Sequence, residues 1–145
     1  LKYRQEIIYK TKELTIINDS KATSFSSSES LLKSLPNVYW IIGGLFKKDD
    51  KFSLSKMYCK NLKAYIFGKD KKLYINELKD KVQIESFLNL KFIIKKIIID
   101  IKIDKLKNHK TILFSPAGAS FDSFKNFEER GKYFNNLIKK SINVL

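Results

Sequence analysis

Short apolar runs alternate with longer amphipathic stretches along the chain. Four runs are rich in strand-favouring residues and end at Gly, Pro or an Asx residue, at 14–19 (LTIIND), 38–44 (VYWIIGG), 63–68 (KAYIFG) and 111–116 (TILFSP). Their near-continuous apolarity is typical of strands covered on both faces. A further run at 4–9 (RQEIIY) could pair with 14–19 through the polar KTKE. The pattern predicts an α/β domain with a mainly parallel sheet flanked by helices.

Three stretches between and after these runs predict helices. Ser26-x-x-Glu29 has the form of a capping box, which predicts a helix over about 26–35. The segment 126–141 carries apolar residues at helical spacing and lysines near its end, as expected for a C-terminal helix. The stretch 87–107 shows both a strand-like alternation and a helical face, and its length favours the helix.

Length and charge limit the range of functions. With 145 residues, 43% of them hydrophobic, the chain fits a single domain spanning 1–145. A net charge of +14 is compatible with nucleic-acid binding, but all 29 basic residues except Arg4 and Arg130 are lysines. Base readout and bidentate phosphate contacts depend on Arg, and the lysines are scattered along the chain. Nucleic acid is therefore not the favoured partner.

Cysteine, histidine and hydropathy point to a reducing, cytoplasmic setting. Cys59 and His109 are each the single residue of their type, which gives no support for an internal disulfide, a cysteine- or histidine-based metal site or a Ser/His/Asp triad. Lysines and an aspartate interrupt the most apolar stretch, at 92–103, so it is too short and too charged to span a bilayer. The sequence predicts a cytoplasmic protein with no metal site and no membrane partner.

Candidate chemistry lies where three predicted strands end. Ligands of open α/β sheets bind at the carboxyl ends of the strands, beside a topological switch point. Polar or glycine-rich loops follow three of the strands here, at 18–24 (NDSKATS), 43–52 (GGLFKKDDKF) and 115–131 (SPAGASFDSFKNFEERG). Each loop alone has a structural explanation as a turn, a helix cap or a solvated charge run. In a parallel sheet, however, all three share one edge.

The residue types in these loops favour a small anion. Gly43 and Gly44 allow close approach to the backbone, and Lys47 supplies a point charge for a carboxylate or phosphate. Lys21 and Thr23 offer an ammonium and a hydroxyl group. Ser120 is predicted near the start of the last helix, where free amides favour negative charge. These loops therefore predict a site for a small ligand with more than one negative group.

These segments, in this order, resemble the C-terminal domain of the Mur ligases, the ATP-dependent amide ligases of peptidoglycan synthesis. NDSKAT, IIGGLFK and SPAGASFDSFKNFEERGKYF carry the resemblance, which spans nearly the whole chain. It is most specific for the branch that adds D-glutamate to UDP-N-acetylmuramoyl-L-alanine, and the Asp-Asn-Pro-Arg motif of the diaminopimelate- or lysine-adding branch is absent. The resemblance implies a Rossmann-like domain that binds the incoming amino acid and closes over a nucleotide.

The resemblance also assigns roles to the amino-acid side of the site. It implies that Thr23 and Lys47 hold the α-carboxylate of D-glutamate. Ser120, with the backbone around Phe121 and Phe127, would hold its side-chain carboxylate. The reaction implied for the family is phosphorylation of the muramoyl-L-alanine carboxylate by ATP, followed by attack of the D-glutamate amine on the acyl phosphate.

A second group of residues would lie toward the nucleotide. The resemblance implies that Tyr3, Arg4 and Asp19 approach ATP, and that Lys21 faces the reacting phosphate and stabilises its developing charge. Tyr3 stands where the family usually has His, and Ser24 where it usually has Asn, which leaves details of nucleotide contact open.

The chain lacks a G-x-x-x-x-G-K-[ST] phosphate loop. Relative to the family, the N-terminal UDP-binding domain and the central ATPase domain, which would hold most of ATP and Mg²⁺, are missing. The chain alone is therefore expected to be monomeric and inactive. Two alternatives stay open: a related ligase domain for another acidic amino acid or a folate-type polyglutamate, and a basic α/β module that contacts nucleic acid or a partner protein.

Overall fold

The computed structural model describes the backbone of residues 1–144 and the side chains of residues 1–143. Its strands are β1 (Glu6–Lys10), β2 (Leu14–Asn18), β3 (Val38–Gly43), β4 (Leu62–Phe67), β5 (Gln83–Ser86) and β6 (Lys110–Phe114). Its helices are α1 (Phe25–Ser34), α2 (Lys71–Leu78), α3 (Leu90–Ile103) and α4 (Phe127–Ser141). Two short 3₁₀ segments cover Lys56–Cys59 and Ile142–Val144. No described helix is both long enough and apolar enough to cross a membrane.

The six strands form one sheet in the order β1-β2-β6-β3-β4-β5. Only β1 is antiparallel to its neighbour, and the pairs β2–β6, β6–β3, β3–β4 and β4–β5 are parallel. This arrangement confirms the predicted three-layer, Rossmann-like α/β fold. The predicted pairing of the first apolar run with 14–19 is also confirmed, as the β1–β2 hairpin.

The helices divide between the two faces of the sheet. One core cluster joins Phe25 and Leu32 of α1 and Tyr74 and Leu78 of α2 to alternate residues of the central strands, with Trp40 at its centre. The second cluster joins α3 and α4 to the opposite face of the sheet. Because β2 is followed by a helix on one face and β6 by a helix on the other, a topological switch point lies between the carboxyl ends of these neighbouring strands.

The predicted capping box of α1 is wrong. Ser24, not Ser26, is the N-cap, and its hydroxyl accepts a hydrogen bond from Ser27 N at 3.4 Å. The Glu29 carboxylate does not reach back along the helix, because it accepts from Ser53 N at 3.2 Å. The Glu29 side chain, which a capping box would use, therefore makes a contact with a distant part of the chain instead.

Sequence patterns identified most but not all of the elements. The ambiguous stretch at 87–107 contains a helix, α3, as its length indicated. The predicted C-terminal helix is α4, which Asn126 caps through a hydrogen bond from Glu129 N. The helix α2 and the edge strand β5 were not predicted, because eight and four residues with half-exposed surfaces carry little periodic signal.

Candidate functional site

The three loops with candidate chemistry lie side by side at the carboxyl edge of the sheet. Their strands β2, β6 and β3 are adjacent and parallel, so 19–24, 115–126 and 44–50 leave the sheet in the same direction. An isolated antiparallel bridge links Leu45 to Ala119, with N–H···O distances of 2.8 and 3.2 Å. The loop that carries Lys47 is therefore joined to the loop that carries Ser120.

Asp19 is buried at the junction of three chain segments. Its Oδ1 accepts from Gln5 N at 3.0 Å and its Oδ2 accepts from Ser115 Oγ at 2.7 Å. Burial raises the pKa of the carboxyl above its usual value, although these two hydrogen bonds and the charge of Arg4 act against that rise. Asp19 thus ties the segment before β1 and the end of β6 to the end of β2.

Tyr3 packs beside the first loop. Its carbonyl accepts from Lys21 N at 2.9 Å, and its ring lies so close to Gly131 of α4 that a side chain there would overlap it. The residue holds a positive φ of 64°, which is uncommon for a bulky side chain. Arg4 follows it and is exposed. The segment before β1 is therefore joined to Lys21 through the Tyr3 backbone, and it carries an aromatic ring and an exposed cation.

The side chains of Lys21 and Thr23 are exposed at the end of β2. Lys21 Nζ lies 5.5 Å from the centroid of the Phe127 ring, within the range of a cation–π contact. The structure thus brings together Lys21, Phe127 and Tyr3, which the sequence predicted for one site. Thr23 directly precedes the N-cap of α1 and faces solvent.

Lys47 is exposed on a loop that is fixed at several points. Phe46 N donates to Asp70 Oδ2 at 2.8 Å, and the Lys47 carbonyl accepts from Asp50 N at 2.9 Å. The Asp50 carboxylate in turn accepts from Phe25 N, the first helical residue of α1, at 2.9 Å. The ammonium group is therefore free to meet a ligand while its backbone is held in place.

The placement of Ser120 at a helix start is wrong. Ser120 is buried in a turn, where its carbonyl accepts from Ser123 N and Phe124 N, and α4 begins only at Phe127. The neighbouring Phe121 is 70% exposed, an unusual state for so large an apolar side chain. The amides that follow Ser120 therefore belong to a turn and not to the first turn of α4.

Arg130 is a central residue of this edge that sequence reasoning missed. Its side chain is 1% exposed, and its guanidinium donates to Ser20 Oγ at 3.1 Å, Ser20 O at 2.6 Å and Gly118 O at 2.8 Å, with a longer contact to Gly43 O at 3.5 Å. One side chain from α4 thus binds the ends of β2 and β3 and the loop after β6. Burial lowers the pKa of Arg130 to about 10. The sequence did contain a hint that Arg130 is special, because it is one of only two arginines in a lysine-rich chain.

The backbone around Arg130 is closely packed. Gly44, with φ of 135°, has no room for a side chain beside Ala119 O and the guanidinium, and a side chain at Gly118 would overlap the Tyr74 hydroxyl. Among the described side chains, Asp122 Oδ2 is the buried polar atom without a hydrogen-bond partner. Burial raises the pKa of Asp122, and the charge of Arg130 opposes that rise. The layer beneath the three loops is therefore closely packed around the buried guanidinium of Arg130.

Within residues 1–144, no group of three or more His, Cys, Asp or Glu side chains is placed to hold a metal ion. The cations that face solvent at this edge include Arg4, Lys21 and Lys47. The Thr23 hydroxyl and the Phe121 ring are exposed at the same edge, while the Phe127 ring is partly buried. The solvent-facing part of this edge therefore carries positive charge.

Comparisons with known proteins agree on one enzyme. No protein-family model matches the chain. It is 38% identical over 140 residues to the UDP-N-acetylmuramoylalanine--D-glutamate ligase of Wolbachia sp. subsp. Brugia malayi, a match that covers 97% of this chain and 28% of that protein. Identity is 39% to the ligase of the same name from Prochlorococcus marinus (strain NATL2A), over 95% of this chain and 30% of the relative. Identity to the ligase of the same name from Rickettsia prowazekii (strain Madrid E) is 34%, over 97% of this chain and 31% of that protein.

The chain thus spans less than a third of the length of these curated relatives, an extent consistent with a C-terminal portion. The motifs at the carboxyl edge and this shared extent lead to the same assignment: the chain belongs to the Mur ligase family and is similar to part of the UDP-N-acetylmuramoylalanine--D-glutamate ligases.

Proposed function

We propose that this domain binds D-glutamate for an ATP-dependent ligase that adds it to UDP-N-acetylmuramoyl-L-alanine. The observation that carries the proposal is the convergence of three loops with free cations and hydroxyls at one edge of the sheet. Similarity over more than nine-tenths of the chain to ligases of that name supports it. The complete reaction would need the parts of the relatives that this chain does not cover.

D-Glutamate suits this edge because it has a carboxylate at each end, and each can meet a different group of polar side chains. Thr23 and Lys47 would hold the α-carboxylate with a hydroxyl and an exposed ammonium. The side-chain carboxylate would meet Ser120 and the backbone around Phe121 and Phe127. Charge-assisted hydrogen bonds of this type are about twice as strong as neutral ones, so they would fix both ends of the ligand.

The nucleotide side of the site would use a different set of residues. Tyr3 offers a partly exposed ring, while Arg4 and Lys21 offer free cations suited to phosphate oxygens. Both Asp19 oxygens already accept protein hydrogen bonds, so its role would be to position the Arg4–Gln5 backbone and not to contact ATP with a free carboxylate. Mg²⁺ would neutralise phosphate charge from the parts of the ligase that this chain does not cover.

In this mechanism the residues of the domain position and stabilise charge. ATP would supply the phosphoryl group that activates the muramoyl-L-alanine carboxylate. Lys21, held against Phe127, would place a positive charge beside the reacting phosphate as negative charge develops. Thr23, Lys47 and Ser120 would hold the D-glutamate amine in line with the activated carbonyl, since orientation is a large part of any two-substrate ligation.

Lys47→Ala in the full-length ligase tests the amino-acid site. We expect the KM for D-glutamate to rise by about 10- to 100-fold with the KM for ATP nearly unchanged, because one charge-assisted hydrogen bond is lost. Lys48→Ala is the matched control, since it removes the neighbouring exposed lysine of the same loop. An unchanged KM in the Lys47 variant, or an equal rise in both variants, would contradict the assignment.

Ligand titration of the domain separates the possible substrates. In ¹H–¹⁵N spectra, D-glutamate should shift the amides of 19–24, 43–50 and 115–127, while L-glutamate and aspartate should shift them less at equal concentration. If another acidic amino acid shifts the same amides more strongly, the site assignment stands and that amino acid is the preferred substrate.

A further inference from the structure

The outer face of α3 carries a row of exposed apolar side chains. Phe92, Ile99 and Ile103 recur at helical spacing on this face and are 45%, 50% and 66% exposed. Leu88 before the helix and Leu106 after it are also exposed. The inner face of the same helix packs against the sheet through Ile93, Ile94 and Ile97. The helix is therefore apolar on two sides, and only one of them is covered within the described residues.

Lysines border this row. Five of them in the stretch are exposed: Lys91, Lys95, Lys102, Lys105 and Lys107. The two aspartates of the stretch do not offset them at the surface. Asp100 is held by Lys63 Nζ at 3.0 Å and Lys96 Nζ at 2.6 Å, and Asp104 lies 3.6 Å from Lys110 Nζ. The face thus combines unpaired positive charge with exposed apolar area.

We propose that the α3 face, defined as the exposed side chains of 88–107, docks on an anionic lipid surface. A helix with apolar and lysine side chains on one exposed side is suited to the boundary between headgroups and acyl chains. The interrupted apolarity of 92–103, which excludes a membrane span, is compatible with a helix that lies in the interface. After the helix, the exposed Leu106 lies in sequence between Lys105 and Lys107, whose ammonium groups could bind anionic headgroups.

Charge decides against a second copy of this chain as the occupant. Two α3 faces in contact would bring their lysines together, and like charges in opposition cost free energy. Docking on the α3 face would leave the candidate site open, since the loops lie at the carboxyl edge of the sheet and α3 covers one of its faces.

Vesicle co-sedimentation of the full-length protein tests the proposal. We expect binding to vesicles that contain phosphatidylglycerol and little binding to pure phosphatidylcholine. The variant Lys91→Gln/Lys95→Gln/Lys102→Gln should lower the partition coefficient at least about tenfold. The variant Phe92→Ser/Ile99→Ser/Ile103→Ser keeps every charge and should lose the part of the binding that persists at high salt.

The matched control removes three exposed lysines from α1, α2 and the end of α2, on the other face of the sheet: Lys33→Gln/Lys72→Gln/Lys79→Gln. It should bind like the unaltered protein. Equal loss in both lysine variants would assign binding to net charge alone and overturn the proposal. So would no vesicle binding, or no effect of the serine variant at high salt. If the α3 face binds an acidic amphipathic helix but the protein does not bind vesicles, its partner is a protein and the lipid proposal is wrong.

Discussion

Among the charged side chains that the structure describes, Arg130 is the most buried. A guanidinium presents its donors in a fixed planar fork, so one side chain can bind carbonyls from several chain segments at once. Here it satisfies Ser20 and Gly118 and approaches Gly43, in three loops that are far apart in sequence. Lysine, with a single nitrogen, could not span these acceptors. This explains why an arginine stands here in a chain that otherwise uses lysine.

Arg130→Met tests this role at the residue scale. We expect the free energy of unfolding in urea to fall by about 2–4 kcal/mol, because buried carbonyls lose their donors. Arg4→Met is the matched control, since Arg4 is exposed and its replacement should change stability by less than about 0.5 kcal/mol. A similar, small effect of both substitutions would show that Arg130 is dispensable for holding the loops.

Helix starts at this edge depend on side chains from outside the local motif. Ser24 caps α1 from the position just before the helix, and Asp50 of the next strand-end loop binds Phe25 N. Glu29, which a capping box would turn back toward the helix start, instead binds Ser53 N. The start of α1 is thus set partly by the loop that carries Lys47.

Ser24→Ala and Ser26→Ala distinguish the observed cap from the one that the local motif predicts. We expect Ser24→Ala to lower the free energy of unfolding by about 1 kcal/mol, because it removes the acceptor for a free N–H at the helix start. Ser26→Ala should cost clearly less, since its exposed hydroxyl contacts only Ser24 Oγ, at 3.1 Å. Thermal unfolding of the two variants side by side measures the difference, and the reverse order would restore the capping box.

At the scale of the whole molecule, the carboxyl edge joins parts of the chain from its first residues to its last helix. Asp19 connects the segment before β1 with the end of β6, and Asn18 binds Gly131 O and Asn135 Oδ1 of α4 at 2.9 and 2.7 Å. The site therefore depends on contacts between the segment before β1, the ends of β2 and β6, and α4. We expect ligand binding and global folding to be coupled.

The raised pKa of Asp19 gives a pH dependence with a defined sign. The folded state holds this proton to higher pH than the unfolded state, so the contribution of Asp19 to stability is largest in acid and falls as pH rises through the folded pKa. Asp19→Asn removes this dependence. The difference in unfolding free energy, unaltered protein minus variant, should decrease from about pH 4 toward neutral pH.

Urea titrations at several pH values measure that difference, and Asp49→Asn, on an exposed loop, is the control. A difference that increases with pH would mean that hydrogen bonding to the carboxylate outweighs its burial.

The apolar runs predicted the parallel sheet and its two-sided burial, and apolar spacing and length predicted the helices α3 and α4, because these patterns are local properties. The helix α1 was predicted from a capping box, and the helix is present although that cap is not. The shared edge of the three loops was predicted from the parallel direction of their strands. The residue types and the family motifs identified Lys21, Thr23 and Lys47 as candidate site residues. Three features depended on contacts distant in sequence: the true cap of α1, the turn that separates Ser120 from α4, and the burial of Arg130. Local pattern cannot specify which carbonyls a guanidinium will meet, because those acceptors become neighbours only when β6 inserts between β2 and β3.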